Sequence, residues 1–117
     1  MNPTEFDYSS IGVKSRNLSP EEIANTARGD LSGFEATQHL ITDHQVKVEG
    51  ESATCQAHVR AIHFLPNEDG DSIFEMGGYY TVHLIRDQCD WKIQRWKFRI
   101  LWSSGNQDLF KLARATL

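Results

Sequence analysis

The chain has 117 residues, below the roughly 150 that serve as a soft prior for one domain, so one domain over residues 1–117 is expected. Sixteen acidic and twelve basic residues give a net charge of −4, which disfavours nucleic-acid binding because phosphates are recognised by a basic face. A hydrophobic fraction of 39% supports a folded core. No apolar run approaches the ~18 residues of a membrane span, and the first residues lack a secretory signal. We therefore expect a cytoplasmic protein with no membrane partner.

The first predicted element is a short helix that begins after Ser19. Serine is a good N-cap, Pro20 is tolerated at the first helical position, and Glu22 stands where a capping box requires a carboxylate. The apolar residues at helical spacing are Ile23, Ala27 and Leu31. Glycines within the stretch 29–33 limit the helix to about three turns or fewer.

From residue 35 the apolar pattern alternates, which predicts four long strands. The predicted strands cover approximately residues 36–48, 52–65, 73–86 and 91–103. Gly77 and Gly78 predict a bulge or bend within the third strand, and residues 108–115 predict a last helix. Short turns join the strands, so we expect an α+β fold with a curved antiparallel sheet of about four long strands packed on short helices.

The chain has five histidines, which are its main candidates for functional side chains. Metal binding is the first role to test. His58 and His63 lie five residues apart on one predicted strand, so their side chains point to opposite faces. No metal-binding helix motif and no paired-cysteine spacing is present. There is also no glycine-rich phosphate loop and no recognisable nucleophile motif, so neither a metal nor a cofactor is expected. Cys55 and Cys89 lie in dissimilar surroundings, which predicts two free thiols.

His63 shares its strand face with apolar side chains, including Val59 and Ala61. A histidine in that position is either a core residue with satisfied nitrogens or an acid–base group in an apolar pocket, and position alone favours the core interpretation. Alanines 53, 57 and 61 leave unfilled volume on this face, which could hold an apolar ligand or a packed helix.

The fourth strand divides into an apolar and a cationic face. Its apolar face is predicted to carry Trp96, Phe98, Ile100 and Trp102, and its other face Arg95, Lys97 and Arg99. The cations are interpreted as a solvated face, and Glu75 on the neighbouring strand as a partner for them.

Several short motifs along the chain together resemble one family. They are Phe6-Asp7-Tyr8-Ser9, Thr37-Gln38-His39-Leu40-Ile41, Val59-Arg60-Ala61-Ile62-His63-Phe64, Gly77-Gly78-Tyr79-Tyr80 and Trp91-Lys92-Ile93. In this order they resemble the SnoaL-like branch of the nuclear-transport-factor-2-like superfamily. Among relatives of known chemistry, the motifs are most similar to those of scytalone dehydratase. The resemblance implies a cone-shaped, cystatin-like fold made by a bent sheet with helices closing its mouth.

The resemblance also implies roles for individual residues. His39 would remove a proton next to a ketone, His63 would support the loss of water, and Tyr8 would polarise the ketone oxygen. The residues expected to form the substrate pocket are Val59, Ala61, Tyr80, Trp96 and Phe98. The chain is then expected to bind a small apolar, enolisable molecule and to act on it as a lyase or isomerase of the dehydratase type, without a metal.

Relative to the family, the chain is expected to be shortened at its N-terminus. The opening helices of the family supply an aspartate and a second tyrosine that cannot be placed in this sequence. A noncatalytic binding or assembly module that keeps the pocket fold is therefore an alternative. We also expect a homo-oligomer, most simply a dimer, that covers apolar side chains of the third and fourth strands, unless residues 3–18 fold back and cover them. Those side chains are Phe74, Met76, Trp96, Phe98, Ile100 and Trp102.

Overall fold

The computed structural model describes residues 3–116, in which six strands form one sheet and two α-helices flank it. The strands are β1 (Thr4–Asp7), β2 (Arg16–Leu18), β3 (Ala36–Glu49), β4 (Ser52–Phe64), β5 (Ile73–Asp87) and β6 (Asp90–Gly105). The helices are α1 (Pro20–Leu31) and α2 (Leu109–Ala115). The strand order is β2-β1-β6-β5-β4-β3, so the four long strands pair with their chain neighbours.

The α+β class and the four long antiparallel strands are confirmed, with bounds within two residues of those predicted. The expected number of strands was too low, because β1 and β2 add to the sheet beyond β6. The sheet is also not wholly antiparallel, since β1 runs parallel to β6. These strands have only four and three residues, too few to show an alternating pattern in the sequence.

Helix α1 begins with the predicted capping box. The Ser19 hydroxyl accepts a hydrogen bond from the Glu22 backbone N–H at 3.1 Å, and the Glu22 carboxylate accepts one from the Ser19 N–H at 3.0 Å. Two of the otherwise unpaired N–H groups at the helix start are thereby satisfied. The capping fixes where α1 starts and therefore which of its faces meets the sheet.

A bulge in β6 decides which side chains point into the concave side of the sheet. The pairing of β5 with β6 shifts between Gly77 and Gly78, where an irregularity was predicted, but the extra residue is Leu101 of β6 and not a residue of β5. Beyond this point the alternation reverses, so Trp102 pairs with Gly77 and lies on the outer face beside Arg60. The prediction that Trp102 shares a face with Phe98 is therefore wrong. A Cβ at position 77 would overlap the Trp102 ring, which explains the glycine.

The ion pairs on the outer face also differ from the expected ones. Glu75 pairs with Arg60 on β4, with the Arg60 Nε and one carboxylate oxygen 3.0 Å apart. Arg95 instead pairs with Glu5 and Asp7 of β1, at 3.2 and 3.4 Å. The expectation was wrong because β1 was not predicted, and β1 is the strand that brings acidic side chains beside β6.

The buried core lies at one end of the sheet, where the two helices meet it. Its centre consists of Phe34, Phe74, Leu109 and Ala113. Gly33 allows the chain after α1 to approach α2, since a Cβ there would overlap the Ala113 carbonyl group. This close approach anchors one end of α1 against α2 and leaves the rest of the helix over the concave face.

Strand β3 forms one edge of the sheet, and every one of its residues is exposed. The apolar patch expected on the third and fourth long strands is not exposed as a whole, because Phe74 and Phe98 are buried and only Trp102 of that set is exposed. Residues 3–18 do fold back along β6, where the Ser10 hydroxyl accepts a hydrogen bond from the Ile100 N–H at 2.9 Å.

Cys55 and Cys89 are free thiols, as predicted. Within residues 3–116, we find no helix with the length and apolar character needed to cross a membrane.

Candidate functional site

A cavity of about 300 Å³ lies between the concave face of the sheet, α1, the first turn of α2 and the segment that follows β1. Its lining includes the three residues predicted to be catalytic, Tyr8, His39 and His63. It also includes the predicted pocket residues Val59, Ala61, Tyr80, Trp96 and Phe98. The structure therefore brings all eight residues to one cavity, whose volume is that of a small-molecule site.

His63 is both a core residue and a cavity residue, so the two interpretations of its position are compatible. Only 1% of its surface is exposed, and its ring lies between Phe34 and Phe110, with centroids 5.1 and 4.7 Å away. Its Nδ1 lies 3.0 Å from the Phe74 carbonyl oxygen. Because a carbonyl only accepts, Nδ1 carries the proton, and Nε2 of the neutral ring is left as the acceptor.

The pKa of His63 lies below its usual value, chiefly because burial disfavours the charged ring. The hydrogen bond to Phe74 opposes this effect, and the nearby His39 adds to it. The ring is therefore neutral at pH 7, with its basic nitrogen available in the tautomer that the Phe74 carbonyl selects.

His39 comes from the exposed edge strand β3, where it pairs in register with Ala61. Its ring meets that of His63 edge-on, with centroids 5.9 Å apart and an interplanar angle of 83°. Although the residue as a whole is exposed, the cavity partly encloses the ring, and this burial lowers the pKa of His39. No side-chain hydrogen bond within residues 3–116 fixes its tautomer, in contrast to His63.

Tyr8 is positioned by the residues on either side of it. The Asp7 carboxylate accepts hydrogen bonds from the Ser9 hydroxyl at 2.6 Å and the Ser9 N–H at 3.0 Å, and these bonds hold the pKa of Asp7 below its usual value. The Tyr8 carbonyl accepts from the Ile11 N–H at 3.1 Å, which closes a 3₁₀ turn. Its ring packs against Phe98 with centroids 5.2 Å apart. The side chain thus enters the cavity in a fixed direction.

Tyr80 and Trp96 meet Tyr8 within the cavity. The rings of Tyr80 and Trp96 are T-shaped, with centroids 5.3 Å apart. Burial raises the pKa of Tyr8 far above its usual value, and the neighbouring Tyr80 raises it further. Burial likewise raises the pKa of Tyr80. Both phenols therefore keep their protons at neutral pH and are available as hydrogen-bond donors.

The sequence did not identify Asp30 as a site residue, but it lines the cavity from α1. Asp30 is exposed and comes from the same helix face as Ile23 and Ala27, which line the cavity with it. The helical spacing of the apolar residues was the signal that could have revealed it, since position 30 lies three residues after Ala27. Within residues 3–116, no group of three or more histidine, cysteine, aspartate or glutamate side chains could hold a metal ion.

The chain matches a family model described as SnoaL-like domain over residues 3–97. A solved structure of a protein from Kribbella flavida is 28% identical, with a TM-score of 0.80, and the match covers 97% of this chain and 77% of that one. No curated protein sequence matches the chain.

Two further solved structures share the fold at lower identity. A proposed scytalone dehydratase from Novosphingobium aromaticivorans is 18% identical, with a TM-score of 0.71 over 92% of this chain and 69% of that one. A hexachlorocyclohexane dehydrochlorinase from Novosphingobium barchaimii is 14% identical, with a TM-score of 0.72 over 92% of this chain and 71% of that one.

Proposed function

The chain belongs to the SnoaL-like domain family of the nuclear-transport-factor-2-like superfamily, and from this premise we propose that it binds a small apolar ketone and transfers a proton on it. The reaction class is that of a lyase or isomerase, with His39 and His63 as acid–base groups and Tyr8 as the donor to the ketone oxygen. None of these steps requires a metal or a cofactor.

The observation that carries this proposal is the pair of neutral imidazoles in one apolar cavity. Proton transfer from carbon needs a base that is unprotonated near the working pH, and the lowered pKa of each histidine meets that condition. The edge-on contact of the two rings means that one bound molecule can reach both. The mostly apolar lining suits an apolar substrate.

In the proposed step, His39 takes a proton from the carbon next to the ketone, and the electrons of that C–H bond move to the ketone oxygen. Tyr8 donates a hydrogen bond to this oxygen, where the negative charge develops. In an isomerase, the proton returns to a different carbon. In a lyase, electrons return from the oxygen to expel a hydroxyl group, which leaves as water with a proton from a histidine. The names of two structural neighbours denote eliminations that also begin with removal of a proton from carbon, with loss of water in the dehydratase and of HCl in the dehydrochlorinase.

Hydrogen exchange on a generic ketone tests the proposal without knowledge of the natural substrate. We expect the protein to accelerate exchange of the α-protons of α-tetralone in D₂O, followed by ¹H NMR. Replacing the base by His39→Ala should reduce the protein-dependent rate by about 10²- to 10⁴-fold, the usual contribution of a general base. His44→Ala is the matched control, because His44 lies on the same exposed strand but does not line the cavity.

A noncatalytic binding module is the second candidate. It is favoured by one observation: within residues 3–116, no carboxylate is hydrogen-bonded to either cavity histidine, so no acidic group orients them. On this alternative, α-tetralone would bind, but the rate of α-proton exchange would equal that of buffer. Such a result would contradict the enzymatic proposal.

A further inference from the structure

Within residues 3–116, the cavity is lined by two charged side chains that the proposed proton transfer does not use, Arg16 and Asp30. Arg16 lies on β2 and comes four residues before the first residue of α1. Asp30 lies in the last turn of that helix, seven residues and about 10 Å beyond Ile23, where α1 begins to line the cavity. Asp30 also precedes Phe34, whose ring packs against His63. The two charges therefore lie at opposite ends of the cavity, with Asp30 at the end nearer the histidines.

The pairing of β1 with its two neighbours directs Arg16 to the concave side of the sheet. Phe6 pairs with Arg16 on β2 and with Trp96 on β6, so these residues form one row across the sheet. Side chains in such a row point to the same face, and both Phe6 and Trp96 line the cavity. The Phe6 ring stacks on the Tyr8 ring, with centroids 4.5 Å apart. Arg16 therefore lies at the end of the cavity where Tyr8 enters.

The Arg16 guanidinium has no anionic partner in the part of the chain that the structure describes. Within residues 3–116, no carboxylate forms an ion pair with it. The pKa of Glu22 is lowered chiefly by hydrogen bonds with Ser19 and less by Arg16, because the Glu22 carboxylate is held in the capping box. A guanidinium presents its N–H donors as a rigid fork that matches the two oxygens of a carboxylate. Arg16 therefore offers an anion-binding group at the Tyr8 end of the cavity.

We infer that Arg16 binds an anionic group of the substrate, so that the substrate is a keto acid with an apolar body and a carboxylate. The inference rests on the proposed function, which supplies the enolisable ketone, and it names the substrate class of the same cavity. Because Arg16 is exposed, the carboxylate remains in contact with water, and the cost of burying an ion is avoided. Asp30 repels a carboxylate at the opposite end, so the two charges favour one orientation of the substrate.

A keto acid and its neutral amide test this inference. The probes are 3-benzoylpropionate and 3-benzoylpropionamide, which share an aromatic ring and an enolisable ketone and differ in charge. We expect Arg16→Gln to weaken binding of the acid about fivefold, the upper value for an exposed pair of charges, and to leave binding of the amide unchanged. Isothermal titration calorimetry measures both affinities. The effect of Arg16→Gln on the acid should decrease at high salt, because salt screens exposed charges.

Arg28→Gln is the matched control, because Arg28 is an exposed arginine of α1 that does not line the cavity. It makes the same change in net charge and should leave the affinity for the acid unchanged. Arg16→Glu reverses the charge at the proposed site and should weaken the acid more than Arg16→Gln does. Unchanged affinity for the amide shows that both Arg16 variants keep the cavity.

The outcomes separate this inference from the proposed function. Equal weakening of acid and amide by Arg16→Gln, or equal weakening of the acid by Arg16→Gln and Arg28→Gln, would overturn the inference. If Arg16→Gln weakens the acid selectively but neither the acid nor α-tetralone exchanges its α-protons faster than in buffer, the carboxylate site stands and the proposed function fails. If α-tetralone exchanges and Arg16→Gln leaves the affinity for the acid unchanged, the proposed function stands and the carboxylate site fails.

Discussion

The two histidines of the cavity come from regions of the sheet with opposite properties. His63 lies on β4 beside the buried core, where aromatic rings surround it and a backbone carbonyl fixes its tautomer. His39 lies on β3, an edge strand in which every residue is exposed. The rings are neighbours, yet one lies beside the buried core and the other comes from the exposed edge of the sheet.

This difference suggests how the two groups divide the proposed reaction. In the proposed exchange of α-protons in D₂O, the general base must replace the proton it takes with deuterium from solvent, and an exposed residue such as His39 can do so directly. A buried imidazole with one nitrogen held by a carbonyl presents the other nitrogen in a fixed direction, which suits His63 to positioning and to proton donation at the leaving group. The comparison thus supports assigning the base role to His39.

The largest expected effect on stability lies in the core beside His63. Leu109 is fully buried in the cluster where α2 meets the sheet. We expect Leu109→Ala to lower the free energy of unfolding by about 2–5 kcal/mol, because it removes buried apolar surface and leaves a cavity. Urea denaturation followed by circular dichroism measures the change. The matched control is Leu40→Ala on β3. Because this side chain is exposed, the substitution should change the free energy of unfolding by no more than about 0.5 kcal/mol.

The histidines themselves provide the next test of the comparison. His63→Ala should lower the free energy of unfolding by about 2–4 kcal/mol, because it empties a packed site and leaves the Phe74 carbonyl without its partner. His39→Ala should change it by less than about 0.5 kcal/mol. Equal changes in the two variants, measured by denaturant unfolding, would show that the two regions do not differ as described.

The sequence predicted the long strands and the cavity side of β4 because alternation extends over many residues there. Where one residue breaks the alternation, the prediction failed: Leu101 bulges, and Trp102 beyond it faces the other side of the sheet. The short β1 strand carries no periodic signal, so the acidic partners of Arg95 were missed. The histidines could be placed at one site from motif resemblance, but the difference in their burial depends on which strand forms the sheet edge, and local sequence does not encode that.

Lowering the pH should reduce the stability of the folded protein, because His63 is buried as a neutral ring. The pKa of His63 is lower in the folded state than its usual value of 6.5, so the unfolded chain binds the proton more readily below that pH. The contribution to stability is complete above about pH 6.5 and is lost progressively as the pH falls through the folded-state pKa, by at most about 1.4 kcal/mol per pH unit. Urea unfolding at pH 7.5 and 5.5 measures this loss.

The variants His63→Gln and His44→Gln separate this effect from general acid sensitivity. His63→Gln removes the titrating ring, so the decrease in stability between the two pH values should be smaller than in the unmodified protein. His44→Gln changes an exposed residue of β3 and should keep the original pH dependence. An unchanged pH dependence in His63→Gln would contradict the assignment.

The smallest expected effect on the stability of the folded chain comes from changes to the outer face beside β3. These changes test how the exposed region differs from the buried one. A groove there is lined by the exposed apolar side chains of Leu40, Leu101 and Trp102. We propose that the chain forms a homodimer in which this outer face packs on its copy, in place of the third- and fourth-strand patch, most of which lines the cavity or the core. Burial of several hundred Å² of apolar surface, at about 25 cal/mol per Å², favours such an association.

Sedimentation at micromolar concentration distinguishes a dimer formed by the outer face from a dimer formed by pairing of the β3 edges. Leu101→Glu should convert the dimer to a monomer, because a charge would then be buried at the contact, while monomer stability changes by less than about 0.5 kcal/mol. Val46→Glu, also exposed but outside the groove, should leave a face-to-face dimer intact. It would disrupt a dimer formed by pairing of β3 edges instead. A single monomeric species of the unmodified protein would contradict the dimer.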